Sequence, residues 1–508
     1  MTYTSLTRRH VLTCLGILFL NLPNGIPWLY GNLITYISSY IMARRGTDGF
    51  DLNPTWPLTL YSITYSVGLA TPGLLVKWLG LRMTTVCIVL FLDLAIFISY
   101  FTSQYSIGML ALTLGVLGGL AIGGVACVSL YYMCGWFPQH IGRACAFSSC
   151  SVSGGSIFTN ILLTVYINPD NLQPDVITST ASYFSQDDLL DRVPRVFLVF
   201  GAMSTATHLL GCLLLQPPPA YDRLSMERKS SEPHASSELV DINSQDSKYP
   251  IANCAQKLYT TDNGNADSKP PSTYSEQEHC SPHNDYPVSH VNNTNGLCSP
   301  QSSDPLSPVL HLEDVLPLQV LQDRNFYLLW FAVGVFMYGL LMVSNFYKQY
   351  GQSLVFDDNF FALVASLISL GSIGGRLLSG YILDKFDLKD NIIIYLALNT
   401  ILCIFWFHSL HLHRVLYLIF SVLLISECNM AFVLAPYAAL KLYGATNLSV
   451  NTSLIFSSNV VVSLLMPIIS PSVLGRFGWF WLFQTDAISS FLVFVSVIVF
   501  LRVKPRAK

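Results

Sequence analysis

Runs of about twenty apolar residues recur along this chain, and no other feature restricts its folding so strongly. A helix needs about 20 mostly apolar residues to cross the hydrocarbon core of a bilayer. Stretches of that kind fall at 11–38, 57–77, 84–102, 107–133, 144–167 and 195–215, and again at 326–348, 359–383, 391–408, 414–440, 448–470 and 479–501. Charge points to the same solvent. Only 11% of the 508 residues are charged and 52% are hydrophobic, whereas soluble domains carry about 25% charged residues. The pattern predicts an all-α membrane protein, with twelve transmembrane helices in two six-helix bundles at 1–216 and 320–508.

Between the bundles, residues 217–319 are rich in Ser, Pro, Asn, Asp and His. Such a segment buries too little apolar surface to offset its ordering entropy and is expected to be a disordered loop. Lys and Arg in short loops set orientation. The face with Arg8, Arg9, Lys77, Arg82, Arg143, Lys385, Lys389, Lys441 and the basic C-terminal end is richer than the face with Arg44, Arg45, Arg192, Arg195, Lys348, Arg414 and Arg476. Both termini and the central loop are therefore expected in the cytosol. Arg8 and Arg9 before an apolar run look like a signal peptide, but the run continues past Asn21 to about Ile41 without a small-x-small cleavage site, and reads as the first span.

The composition also excludes some classes. A net charge of -3 argues against nucleic-acid binding. The twelve cysteines show no tight metal spacing. No G-x-x-x-x-G-K-[ST] stretch is present, which argues against coupling to ATP hydrolysis. No cofactor or enzymatic activity is implied, and the expectation is a monomer in a plasma or organelle membrane.

An internal repeat follows helices 2 and 8. The first copy carries Gly73, Lys77, Gly80 and Arg82; the second carries Gly380, Asp384, Lys385 and Lys389. Each sets a glycine near a helix end and then a short basic turn, at the same step of its six-helix half. Here the chain resembles the major facilitator superfamily, whose signature in those loops is G-x-L-x-D-R-x-G-x-R. The resemblance implies the paired-bundle fold, alternating access, and a gating role for Gly73, Gly80, Arg82, Gly380, Asp384 and Lys385. The first copy departs from the pattern, with Lys77 where the Asp belongs.

Two further stretches resemble a narrower branch. Trp136-Phe137-Pro138 with Arg143-Ala144 and a Ser/Gly-rich helix 5 (Ser148, Ser149, Ser151, Ser153) looks like a segment of oxalate–formate antiporter-like and nodulin-like carriers. Gly374-Gly375-Arg376 through Gly380 looks like helix 8 of those carriers and of monocarboxylate transporters. In that group the helix 8 Arg contacts the substrate carboxylate, and Arg376 is the matching position. The second cation of those relatives is missing: helix 11 holds Asn451 and Asn459 but no Lys or Arg, helix 1 has no Lys, and Ser372 stands where monocarboxylate transporters have an Asp.

The residues themselves point the same way. Arg376 lies eight residues before Asp384, roughly 12 Å into the bilayer. A charge there is costly unless it is paired or faces a cavity, and an Arg fork suits a carboxylate. The alternative is a structural ion pair with a buried acid. Glu427 in helix 10 is the candidate proton carrier, or else it only neutralises Arg376. Asp93, Asp486 and His208 read as structural. Helix 1 is interrupted by Pro23 and Pro27, and broken helices recur at transport sites. Asn24 and Tyr30 are therefore candidate substrate contacts, with Tyr338 and Asn345 in helix 7 and, more weakly, Asn429 and Tyr437 in helix 10.

One candidate cation in the cavity suits a monoanion or a zwitterion better than a dianion. The expected function is secondary active transport of a small organic anion, a monocarboxylate, by proton symport or anion exchange. The alternatives are a carrier for a zwitterion such as an amino acid and a transporter-like receptor that signals without translocation.

Overall fold

The computed structural model describes residues 7–25, 30–54, 56–170, 172, 175–177, 182–218, 315–355 and 358–501. Of the central loop expected at 217–319, residues 219–314 lie outside the described residues. Its last residues are structured: Val315 N–H donates to Tyr443 O at 3.1 Å, and Pro317–Val320 forms a helical turn.

Span 1 consists of two helices, Arg8–Asn21 and Tyr30–Arg45. Pro23 sits in a short turn between them, where its missing N–H cannot continue the helix. Span 2 is Trp56–Gly68 and continues through 71–79, the start of the helical segment Thr71–Thr102. Pro72 cannot donate to Gly68 O, and the Thr71 hydroxyl does so instead at 2.8 Å. Gly80, at φ 75° and ψ 165°, reverses the chain into span 3 at 81–102. That backbone conformation is essentially restricted to glycine.

Span 4 is Ile107–Trp136, with a π-helical stretch at Ala111–Leu117. Span 5 is Ile141–Ile167 and span 6 is Asp187–Leu214. The loop between them carries a short antiparallel pair, Val176–Ile177 with Ser182–Tyr183, the only strands among the described residues. Span 7 is Arg324–Gln352, span 8 is Asp358–Lys385 and span 9 is Leu388–Leu412. Span 10 is split into Arg414–Cys428 and Ala431–Tyr443. Span 11 runs from Leu448–Phe456 through 458–477, and Gly478, at φ 78°, turns it into span 12 at 479–500.

Among the described residues, nine helical stretches are long and apolar enough to cross a membrane. The number falls below twelve because spans 1 and 2 are interrupted and Leu448–Phe500 contains two spans. Large apolar side chains such as Leu94, Ile161, Leu213, Leu370, Phe405 and Leu492 are exposed, as a lipid-facing surface requires.

The halves pack in corresponding ways. Spans 1 and 3 pack on span 6, and spans 7 and 9 on span 12. Across the halves, span 5 packs on span 8 and span 2 on span 11. A Cβ on Gly142 would lie 2.3 Å from Gly380 O, so the span 5–8 contact is a close backbone approach through small residues.

Candidate substrate-binding site

The second signature loop joins span 8 to the start of span 5. The Asp384 carboxylate accepts from Gly142 N–H at 2.7 Å, Arg143 N–H at 3.2 Å and Arg143 Nε at 2.9 Å. These amides are the free donors in the first turn of span 5, where a helix favours negative charge. Lys385 stands over the Tyr381 ring. The first copy, with Lys77 in place of an acid, closes on span 11 without a carboxylate: Gly73 N–H donates to Ser449 Oγ at 3.0 Å, and Ser449 Oγ donates to Leu69 O at 2.6 Å. Gly80 makes the turn that follows, and Arg82 is exposed beyond it.

Further in, hydrogen bonds continue to join the halves. Ser453 Oγ donates to Ser66 O, Cys150 Sγ to Ile373 O, and Ser149 Oγ to Phe432 O. At the inner limit of this contact lies Arg376, 2% exposed. Its Nε donates to Asn429 Oδ1 at 3.0 Å, and its Nη1 donates to Ser149 O and Ser153 Oγ, each at 2.6 Å. The guanidinium lies 4.6 Å from the centre of the Phe432 ring. Asn429 stands where span 10 breaks, and its Nδ2 donates to Ile425 O. Among the described residues no carboxylate pairs with Arg376, and its Nη2 makes no hydrogen bond. The expected alternative of a structural ion pair, with Glu427 or another buried acid, is therefore corrected.

Arg376 borders a cavity of about 220 Å³. Span 2 contributes Leu58, Tyr61, Ser62, Tyr65 and Leu69; span 4 Ile122, Ala126 and Leu130; span 5 Ser148, Ser149 and Val152. The second half adds Met337, Leu340, Leu341, Ser344 and Asn345 from span 7, Phe432 and Pro436 from span 10, and Thr452, Phe456 and Asn459 from span 11. Arg376 is the single charged residue in that lining. The lining also reaches Leu58, near the start of span 2, and Asn345, in the second half of span 7.

Of the expected contacts, Asn345 lines the cavity and Asn429 holds Arg376. Asn24, Tyr30 and Tyr338 are placed elsewhere. Asn24 Nδ2 donates to Asn21 Oδ1, whose own amide donates to Ser129 Oγ, tying span 1 to span 4. Tyr30 donates to Pro54 O, and Tyr338 pairs with Thr485 of span 12. Tyr437 donates to Leu383 O. Glu427 is buried behind the cavity and does not line it. Asp93 accepts from Ser204 and meets His208 Nδ1 at 2.8 Å, a buried contact between spans 3 and 6. The wall supplied by span 2 went unrecognised in the sequence. Leu58, Tyr61, Ser62, Tyr65 and Leu69 recur at helical spacing, which was the available signal.

A family model described as Major Facilitator Superfamily matches residues 28–445, and matches again over 329–508. The chain belongs to the major facilitator superfamily. Solved structures of this superfamily share its fold. A proton:xylose symporter bound to 6-bromo-6-deoxy-D-glucose aligns with a TM-score of 0.56 at 10% identity, covering 97% of this chain and 95% of the other. The Escherichia coli fucose:proton symporter aligns with a TM-score of 0.60 at 10% identity, covering 97% and 98%. A fucose transporter in the outward conformation gives 0.58 at 12% identity, covering 98% and 100%. No curated protein matches the sequence of this chain. As a major facilitator protein, the chain is a multi-pass membrane transporter.

Proposed function

We propose that this protein carries a small organic monoanion, a monocarboxylate, across its membrane by alternating access. The observation behind this reading is Arg376: a buried guanidinium with no carboxylate partner among the described residues and with Nη2 unused, at the edge of the cavity. Placing a lone charge at that depth costs about 3 kcal/mol or more, and a bound anion returns much of that cost through charge-assisted hydrogen bonds. A neutral sugar, the kind of solute named for the similar symporters, would leave the charge uncompensated. A dianion would carry one charge too many for a cavity with one cation, and a zwitterion would bring an ammonium for which the lining holds no carboxylate. The branch resemblance at Gly374, Gly375 and Arg376 supports the same class.

The conformation suits one stage of the cycle. At the Asp384 end, expected to be cytosolic, the Asp384 and Ser449 contacts join the two halves, and the cavity lining reaches Leu58 and Asn345 beyond the level of Arg376. A screen of purified protein in proteoliposomes against lactate, pyruvate, formate, oxalate and neutral sugars, at two pH values, tests the assignment. Uptake of monocarboxylates above oxalate and sugars is expected. Transport of sugars alone would overturn it.

A further inference from the structure

The second half encloses two carboxyls that the Arg376 site does not touch. Glu427 of span 10 and Asp486 of span 12 are 3% and 1% exposed. Asn399 and Cys403 of span 9 and Cys428 of span 10 stand between them. Cys403 Sγ lies 3.2 Å from Asp486 Oδ2, Cys428 Sγ lies 3.9 Å from Glu427 Oε2, and both thiols lie 3.7 Å from Asn399 Oδ1. Span 7 covers the cluster with Gly339, where a Cβ would come within 2.7 Å of Asp486 Oδ2 and 2.8 Å of Cys428 Sγ.

The other titratable groups facing this site are Tyr395 of span 9 and Tyr338 of span 7. From span 8, Arg376 is connected to it only through Asn429. Among the described residues no cation pairs with either carboxyl. Among the described residues, Glu427 Oε1 and Asp486 Oδ1 are buried without a hydrogen-bond partner, and the fully buried Asn399 side chain faces the Asp486 carboxyl. Two carboxylates with no counter-charge cannot both stay ionised in a dry interior, so the pair holds at least one proton.

We propose that Glu427 and Asp486 form a site for one exchangeable proton, linked to the Arg376 cavity through the break in span 10. The link is short. Glu427 and Cys428 end the first helix of span 10, and Asn429, the next residue, holds Arg376 Nε through its Oδ1. A change of charge at Glu427 therefore acts two residues from the group that orients the guanidinium. In the cycle, a carboxylate oxygen takes the proton from water at one face as a new O–H bond and returns it to water at the other. One proton with one monoanion moves no net charge. The coupling to an anion rests on the proposed function; the proton site does not.

Two measurements on the purified full-length protein test the pair separately from the anion assignment. The first is an infrared difference spectrum between acidic and alkaline buffer. Wild type is expected to show a protonated-carboxyl C=O band that titrates, and Glu427→Gln/Asp486→Asn is expected to lose it. The second uses proteoliposomes with labelled lactate as probe. A pH gradient is expected to drive accumulation in wild type, and the double variant should fall at least tenfold, with equal-pH lactate exchange as the check that the carrier still folds and binds. A double variant that keeps the titrating band, or that still accumulates lactate with its pH gradient, overturns the proton site. A titrating band that needs both carboxyls, in a protein that exchanges no monocarboxylate, supports the proton site and counts against the anion reading alone.

Discussion

Arg376 Nη1 lies 2.6 Å from the main-chain oxygen of Ser149, so the buried cation of the second half is held in part by the first. Ser153 Oγ doubles that link, also at 2.6 Å. Any motion that parts spans 5 and 8 at this level must break both bonds. In the proposed cycle that motion is the transport step, and the proposed anion-binding residue is also a latch between the halves. An anion on Arg376 and the Ser149 and Ser153 acceptors draw on the same guanidinium, which gives occupancy a direct route to the closure.

The contact between spans 8 and 10 sets where Arg376 and Asn429 meet. A Cβ on Gly375 would lie 1.9 Å from Ser426 O, whereas a Cβ on the adjacent Gly374 would meet nothing within 4 Å. Gly375→Ala must push the two backbones apart, an overpacking cost of about 1–3 kcal/mol. It is expected to lower the thermal midpoint of the detergent-solubilised protein. Gly374→Ala is expected to leave it within a degree or two of wild type (about ±0.5 kcal/mol). Equal effects of the two substitutions would contradict this packing.

Closure of the Asp384 end is expected to depend on its carboxylate. Asp384→Asn keeps the size of the side chain but removes its charge from the first turn of span 5 and from Arg143. The loss is about 1 kcal/mol, which is about fivefold in the open-to-closed ratio at that end. Cys150, whose Sγ donates to Ile373 O across the span 5–8 contact, reports on it. In a background with the other cysteines replaced, alkylation of Cys150 by a membrane-impermeant maleimide from the Asp384 side should speed up several-fold. An unchanged rate would mean that Asp384 does not hold this end closed.

Phe432 faces Arg376 at 4.6 Å and also lines the cavity. A cation–π contact of this kind is worth about 0.5–2 kcal/mol, and it holds the guanidinium by its face, which leaves the in-plane N–H edge for an acceptor. Phe432→Leu keeps most of the apolar surface. It should raise KM for the transported anion several-fold, with a smaller effect on the maximal rate. A KM equal to wild type would show that the ring only packs.

The length and spacing of apolar runs made the fold readable, and the repeat singled out the loop residues, among them Asp384, that join spans 5 and 8. Which side of each helix faces the cavity was harder to read. Met337, Leu341, Ser344 and Asn345 line the cavity from span 7, and Tyr338 lies only about 20° around the helix from Asn345, but its hydroxyl is taken by Thr485 of span 12. Glu427 precedes Phe432 by five residues, about 140° around an ideal helix, and span 10 also breaks between them. Its carboxyl therefore faces spans 9 and 12. Asn24 and Tyr30 were expected in the wall because span 1 is broken, but their hydrogen bonds to Asn21 and Pro54 turn them elsewhere. Arg376 was legible because charge inside a span is rare; its partners Ser149, Ser153 and Asn429 come from spans 5 and 10, and pairings across a bundle leave no local pattern.

The central claim is that the Arg376 fork holds the carboxylate of a transported monoanion. The most direct measurement is labelled lactate and pyruvate exchange by wild type and Arg376→Lys in proteoliposomes, with insertion and folding checked by protease protection and size-exclusion elution. Lysine keeps the charge but loses the planar pair of donors and the Nε bond to Asn429. Exchange by wild type and a loss of at least tenfold in well-inserted Arg376→Lys is the expected result. Undiminished exchange by that variant, or no monocarboxylate exchange by wild type, would contradict it.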